Sequence, residues 1–200
     1  MNNKEDQFEY EDSFLTEGRS LSETSIQKLE EEVASADEEI EFQKRLKLIG
    51  FYENKLQNSK KAVASNLIDN FVWIVENRPH SVIAQNLSFD FFRDQREKRR
   101  LKYCWLKTIE NNQDSPVVLA NAASCISTID KKLAEKLYLK AIKLDSQNPE
   151  YPRILSLMYI RGTLNGLDES ALPCATKAIE YARQSLKLED TTGEKWGLLQ

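Results

Sequence analysis

The apolar residues of the chain recur at intervals of three and four, which is the period of a helix with one buried face. The clearest example is residues 115–148, where two apolar lines follow one another with a short polar break between them. The first line is Val118, Ala122 and Cys125. The second line is Leu133, Ala134, Leu137, Tyr138, Ala141 and Ile142. The pattern predicts two antiparallel helices joined by a tight turn.

Capping residues mark the ends of this helix pair. Ser115 before Pro116 is a typical helix start, because a proline loses no hydrogen bond in the first turn. Asp130 can cap the second helix, and Pro149 cannot continue it. The alanines in the two apolar lines are small enough to let the helix axes approach closely. Each helix is apolar on one side only, so the pair needs further helices to be stable.

This 34-residue unit resembles the tetratricopeptide repeat, a pair of antiparallel helices with a signature of small and aromatic residues. Ala122 fills the small-residue position of the first helix, and Cys125 stands where the signature has Tyr. Ala134 and Tyr138 match the A-x3-F pair of the second helix. The sequence departs from the signature at Val118 in place of Trp, Asn121 in place of Leu and Ser146 in place of Pro.

A second copy of the first-helix spacing follows directly. Its members are Pro152, Leu155, Ser156 and Tyr159. The matching return helix carries Ala178, Ala182 and Ser185. From Ser156 to Ala178 there are 22 residues, against 12 from Ala122 to Ala134, so the second unit carries a ten-residue insertion. Insertions in helical repeats often lie on a functional face, and a neutral loop extension is the alternative.

The resemblance implies a concave groove that binds a segment of another protein. It would be lined by first-helix residues that face away from the return helix. By this register they are Leu119, Ala123, Ile126, Arg153, Leu157, Ile160 and Arg161. Aliphatic positions beside arginines suit an extended or helical segment that carries a carboxylate. The alternative is that these apolar residues are core, covered by the N-terminal helices.

Two or three more helices are predicted upstream of the repeats. One begins near Asp37 and has a wide apolar stripe, of which the main members are Phe42, Leu46, Ile49 and Leu56. Gly50 in its middle costs about 1 kcal/mol relative to Ala, so we expect a neighbouring helix to approach closely there. A second helix covers residues 60–77 and ends before Pro79. The tract of residues 45–79, ahead of the repeats, resembles an arrangement in bacterial proteins with tetratricopeptide-like segments.

The first 36 residues carry ten acidic and three basic side chains, in a chain whose total charge is −4. Such a composition is typical of a disordered or loosely helical segment. Four apolar side chains are unusual in it, namely Phe8, Tyr10, Phe14 and Leu15. They could dock on a groove of this protein or of a partner, or belong to a solvated tail.

A basic run lies in a further helix, which is expected from a cap at Ser88 to about Asn111. Its cationic residues are Arg93, Arg96, Lys98, Arg99, Arg100 and Lys102, with Phe91, Phe92, Tyr103 and Trp105 close by. Basic residues beside aromatics can bind nucleic acid. Asp94 and Glu97 interrupt the run, and the cations are spread around the helix, so a solvated face is the alternative.

No constellation for catalysis, cofactor binding or metal binding is found in the sequence. The one histidine, His80, has no nucleophile signature near it, and the six glycines form no phosphate loop. The three cysteines are far apart, which suits buried thiols better than a disulfide framework or a zinc site. The tract of residues 71–79 resembles, loosely, the repeat of protein prenyltransferase subunits, and this is one enzymatic alternative; a paired-carboxylate enzyme is another.

The sequence therefore predicts an all-α protein with an acidic tail at residues 1–36 and a helical domain at residues 37–200. Within this domain, residues 37–111 form N-terminal helices, and residues 115–148 and 149–190 form repeats stacked as a short right-handed solenoid. The resemblance implies a scaffold, an adaptor or a neutralising partner of a toxin or effector. A nucleic-acid-associated protein acting through residues 93–102 is the alternative. The absence of a long apolar run and of a secretory signal favours a cytoplasmic protein without a membrane span.

Overall fold

In the computed structural model the described residues are 4–34, 37–58, 64–86, 95–164 and 171–192. Their regular secondary structure is entirely α-helical, which confirms the all-α prediction. The helices are α1 (Lys4–Ser20), α2 (Glu23–Glu31), α3 (Glu38–Asn58), α4 (Ala64–Asn77), α5 (Val82–Asn86), α6 (Gln95–Asn111), α7 (Pro116–Ile126), α8 (Lys131–Leu144), α9 (Glu150–Leu164) and α10 (Ala171–Thr192). The chain divides into two compact units, Met1–Asn111 and Asn112–Gln200.

The first unit is organised around a close crossing of α1 and α3. Gly18 of α1 lies against the backbone of Lys47, and Gly50 of α3 lies against the backbone of Leu15. A Cβ atom on either glycine would overlap the carbonyl group of the opposite helix. The expectation that Gly50 marks a close approach is therefore confirmed, and a second glycine makes the crossing reciprocal.

The acidic N-terminal segment, which was predicted to be disordered or loosely helical, contains the helices α1 and α2, and both pack on α3. Leu15 is 5% exposed. The hydroxyl of Tyr10 donates to Glu39 Oε1 at 2.9 Å and accepts from Gln43 Nε2 at 2.7 Å. Tyr10, Phe14 and Leu15 thus pack against this protein, whereas Phe8 is 41% exposed. Most of the acidic side chains of the segment face solvent. The compact unit accordingly begins within this segment rather than at residue 37.

A buried carboxylate connects α1 to the short helix α5, which the sequence analysis did not predict. Glu11 is 2% exposed. Its Oε2 atom accepts from Ser81 Oγ at 2.6 Å and from the backbone N–H of Ile83 at 2.9 Å, and its Oε1 atom accepts from Gln7 Nε2 at 2.8 Å. Glu11 therefore satisfies a first-turn N–H of α5, which a helix cannot do internally.

The helix predicted to begin near Asp37 corresponds to α3, and the helix predicted at residues 60–77 corresponds to α4; residues 59–63 lie outside the described residues. Helix α4 packs against both α3 and α6, as its wide apolar stripe indicates. The centre of this core is made of fully buried side chains, among them Leu46, Phe71 and Trp105. The predicted cap at Ser88 lies outside the described residues.

The second unit begins with the helix pair α7 and α8, which pack on each other. The side chain of Ser115 accepts from the N–H of Val118, and the side chain of Asp130 accepts from the N–H of Leu133 at 3.1 Å. Both predicted caps are therefore confirmed. The three alanines that were expected between the helices, Ala122, Ala134 and Ala141, each have an exposed fraction of 0%.

The pair α9 and α10 follows, and α9 also packs on α8. Ser156 and Ala178 are buried, and Ser185 Oγ donates to the carbonyl of Pro149 at 2.9 Å. Small residues thus occupy the buried faces of this pair, as their spacing predicts. Residues 165–170, which hold most of the predicted insertion, lie outside the described residues.

Candidate binding surfaces

The part of the predicted groove that lies on α7 is not accessible. Leu119, Ala123 and Ile126 each have an exposed fraction of 0%. The sequence left two interpretations open for these residues, a contact surface or core, and the structure shows them as core. Helix α7 is apolar around most of its circumference, so it can be buried on more than the side that faces α8.

The part of the groove that lies on α9 stays accessible. Arg153, Leu157 and Ile160 are spaced by four and three residues and form one row along the helix, which we call the α9 row. Leu157 is half-buried, and Ile160 is 41% exposed. The guanidinium of Arg153 is held by Glu150 through two hydrogen bonds of 2.7 and 2.6 Å. The side chain of Arg161 lies outside the described residues.

The most exposed cations of α6 share one face of the helix, which the sequence analysis did not single out. With 3.6 residues per turn, its exposed cations fall within an arc of about 100°. We call this surface the α6 face; it consists of Arg96, Arg99, Arg100, Tyr103 and Lys107. Tyr103 is 71% exposed. The basic run as a whole does spread around the helix, because Lys98 and Lys102 lie on another side, and Arg93 is outside the described residues.

One arginine of the α6 face is held in place by α4. Arg100 Nη2 lies 2.6 Å from Asp69 Oδ1, and both side chains are about half exposed. An exposed ion pair of this kind contributes at most about 1 kcal/mol. A competing anion can therefore displace Asp69 at little cost.

Charged and aromatic side chains converge where α8, α9 and α10 meet. Lys131 Nζ lies 4.3 Å and Lys177 Nζ 5.1 Å from the ring centre of Tyr159. Lys177 also donates to Glu135 Oε1 at 2.7 Å and to the Tyr159 hydroxyl at 3.1 Å. The ring of Tyr181 stacks on Tyr159 at 6.1 Å. Lys131 and Lys177 both have partners within this cluster. The contacts of the cluster connect α8, α9 and α10 to one another.

The pKa values in this cluster follow from its contacts. Burial, and next the hydrogen bond to Glu135, raise the pKa of Tyr159 to about 12. The hydrogen bond to Glu135 also raises the pKa of Lys177. Partial burial opposes the shift of Glu135, but the Lys177 ammonium lowers its pKa. The tyrosine stays neutral and the ion pair stays charged near neutral pH.

The three cysteines are in different environments. Cys104 and Cys125 are buried, as expected. Burial raises the pKa of the Cys104 thiol to about 12. Cys174 differs from the expectation, because it is half-buried and lies 3.5 Å from Lys131 Nζ. The structure therefore contains one accessible thiol among the described residues.

A further charged surface was missed by the sequence analysis. Four lysines of α8 follow one another at intervals of four, four and three residues, which places them on the solvent side of the helix. We call this surface the α8 lysine row; it consists of Lys132, Lys136, Lys140 and Lys143. The spacing K-x3-K-x3-K-x2-K is present in the sequence and would have predicted this row.

Metal-binding clusters and membrane-spanning helices are both missing from the part of the chain that the structure describes. No three His, Cys, Asp or Glu side chains are grouped closely enough there to hold a metal ion. None of the described helices combines the length and the apolar composition that crossing a membrane requires.

Comparisons with known proteins add no assignment to these surfaces. The chain matches no protein-family model, no curated protein sequence and no solved structure. The accessible surfaces of the two units are therefore the basis for a functional proposal.

Proposed function

We propose that this chain is a protein-interaction module built from tetratricopeptide-like helix pairs, and that it acts as a scaffold, an adaptor or a neutralising partner. The observation that carries the proposal is the burial of small residues between consecutive helices of the second unit. Ala122, Ala134 and Ala141 are fully buried in the first pair. Ser156 and Ala178 are buried in the second pair. Helix pairs that nest in this way bury a continuous core and leave their outer surfaces for binding.

The α9 row is the proposed contact surface of this module. Leu157 and Ile160 supply the accessible apolar area of the row. Burying them under a partner side chain would contribute about 25 cal/mol for each Å² removed from water. The guanidinium of Arg153 could receive a carboxylate of the partner, which would replace Glu150 in a bidentate pair.

Affinity purification from the native cell tests this proposal. We expect wild-type protein to recover a partner that the Ile160→Asp variant fails to recover. The reason is that a charge at the centre of a contact must be desolvated without a matching group. We expect Arg153→Glu to reduce recovery as well, since it places a carboxylate where the partner would present one.

Ile179→Asp is the matched control for this experiment. Ile179 lies on α10 and is 53% exposed, so the substitution introduces the same charge at a similarly accessible isoleucine. The control variant should recover the partner in the wild-type amount. Equal recovery by the Ile160→Asp variant would contradict the proposal.

Binding of single-stranded nucleic acid is a second candidate function, and the α6 face favours it. A tyrosine that is 71% exposed and is surrounded by arginine and lysine offers a stacking surface for a base and cations for phosphates. Neither an aromatic side chain this exposed nor a cationic face is needed for the helix to pack.

A salt titration tests this second candidate. If four cations of the α6 face contact phosphates, the affinity for a single-stranded oligonucleotide should fall with a log–log slope of about −3. The Tyr103→Ala variant should bind about tenfold more weakly, because loss of one stacked base costs about 1–3 kcal/mol. A slope near zero, or unchanged binding by Tyr103→Ala, would remove the candidate.

A further inference from the structure

Helix α8 has one buried and one exposed side, and the exposed side is strongly cationic. With 3.6 residues per turn, the buried residues Ala134, Leu137, Tyr138 and Ala141 occupy an arc of about 100°. The α8 lysine row occupies an arc of about 80° on the other side. Leu139, which is 42% exposed, lies at the edge of this second arc.

The ammonium groups of the row are not neutralised by the protein itself. Lys132, Lys136 and Lys143 are exposed and Lys140 is half-buried. Within the described ranges, none of these four lysines has a carboxylate within ion-pair distance, whereas the neighbouring Glu135 is held by Lys177. Four like charges along one helix raise the local potential and attract an anionic partner.

We propose that the α8 lysine row is a docking surface for an acidic helical segment of a partner protein. The axial rise of 1.5 Å per residue places successive lysines about 6, 6 and 4.5 Å apart along the helix. Carboxylates at the same spacing on a second helix can therefore meet all four lysines at once. The α8 lysine row and the α9 row lie on different helices, so the test of one proposal does not decide the other.

Two features favour a protein segment over other polyanions. No aromatic residue is exposed on α8, since its one aromatic, Tyr138, is fully buried, so nucleic-acid bases would have nothing to stack on. Leu139 beside the lysines offers an apolar contact that an acidic amphipathic helix can match.

The experiment uses the full chain and a synthetic helical peptide. The peptide carries glutamates at intervals of four, four and three residues, with one leucine beside them. We expect the Lys136→Glu/Lys140→Glu variant to bind it at least about tenfold more weakly, because two attractions become repulsions. We expect Leu139→Ala to weaken binding by a smaller factor.

The matched control is Arg183→Glu/Lys187→Glu. These residues lie four apart on α10, are exposed and belong to the same unit, so the variant has the same charge change and spacing. It should bind the peptide as the wild type does. Equal weakening by this control, or equal binding of a peptide with the same glutamates in scrambled order, would overturn the proposal. Tighter binding to single-stranded DNA or to phosphatidylserine vesicles than to the peptide would also overturn it.

Discussion

The Gly50→Ala variant is expected to lose roughly 3 kcal/mol of the free energy of unfolding of the first unit. Alanine improves helix propensity by about 1 kcal/mol at an unhindered position. At Gly50, however, the added Cβ atom would overlap the carbonyl group of Leu15, which is backbone and cannot rotate away. The two helices must move apart, and the packing of α1 on α3 is then lost. Urea denaturation followed by intrinsic tryptophan fluorescence, to which the fully buried Trp105 contributes, measures the change.

The reciprocal crossing offers internal checks on this expectation. Gly18→Ala should destabilise by a similar amount, since its Cβ atom would overlap Lys47. The double variant should cost less than the two single costs added together, because one separation of the helices relieves both overlaps. Ile40→Ala on α3, where the side chain is 45% exposed, should change stability by no more than about 0.5 kcal/mol. A Gly50→Ala variant that is as stable as wild type would refute the close crossing.

Enlarging a small residue between α7 and α8 is expected to have the second largest effect. Ala134→Leu adds three carbon atoms at a position with an exposed fraction of 0%. Overpacking of this kind typically costs about 1–3 kcal/mol, and a site in contact with a neighbouring helix belongs at the upper end of that range. Far-UV circular dichroism during thermal or urea unfolding reports on it.

Lys136→Leu is the control for this variant, because it introduces the same side chain on the exposed side of the same helix. It should leave the free energy of unfolding within about 0.5 kcal/mol of wild type. If Ala134→Leu were equally harmless, the helices of this pair would not be nested through their alanines. The proposed repeat architecture would then lose its main support.

Local signals predicted the helix pair of residues 115–148 well. The caps Ser115 and Asp130 act through hydrogen bonds over three residues, so the sequence contains everything that determines them. Gly50 was informative because a glycine inside a helix lowers its stability, and a close approach of another helix is a physical reason for it to be there. Ala134 is small at a position where the apolar period places it in the core.

Properties that depend on distant residues were harder to predict. The acidic composition of residues 1–36 concealed α1, because a few apolar positions such as Leu15 suffice once α3 provides a surface for them. Helix α5 depends on Glu11, which is about 70 residues away in sequence. The burial of Leu119 is set by what covers the outer side of α7, and no local pattern encodes this.

For the accessible surfaces too, some properties follow from local sequence and others do not. The residues of the α9 row were chosen from the repeat register, and Ile160 among them is 41% exposed. The grouping of the α6 face and of the α8 lysine row could have been obtained from helical geometry alone. Which of these surfaces binds a partner depends on complementarity with another molecule, and that information is outside this sequence.

Site-specific photocrosslinking in the native cell tests the central claim, that a protein partner contacts α9, most directly. A photoreactive amino acid at Ile160 should form a covalent adduct with one predominant protein. The same amino acid at Leu186 of α10, which is 47% exposed, should not form that adduct. No adduct from position 160, or the same adduct in equal yield from position 186, would contradict the account.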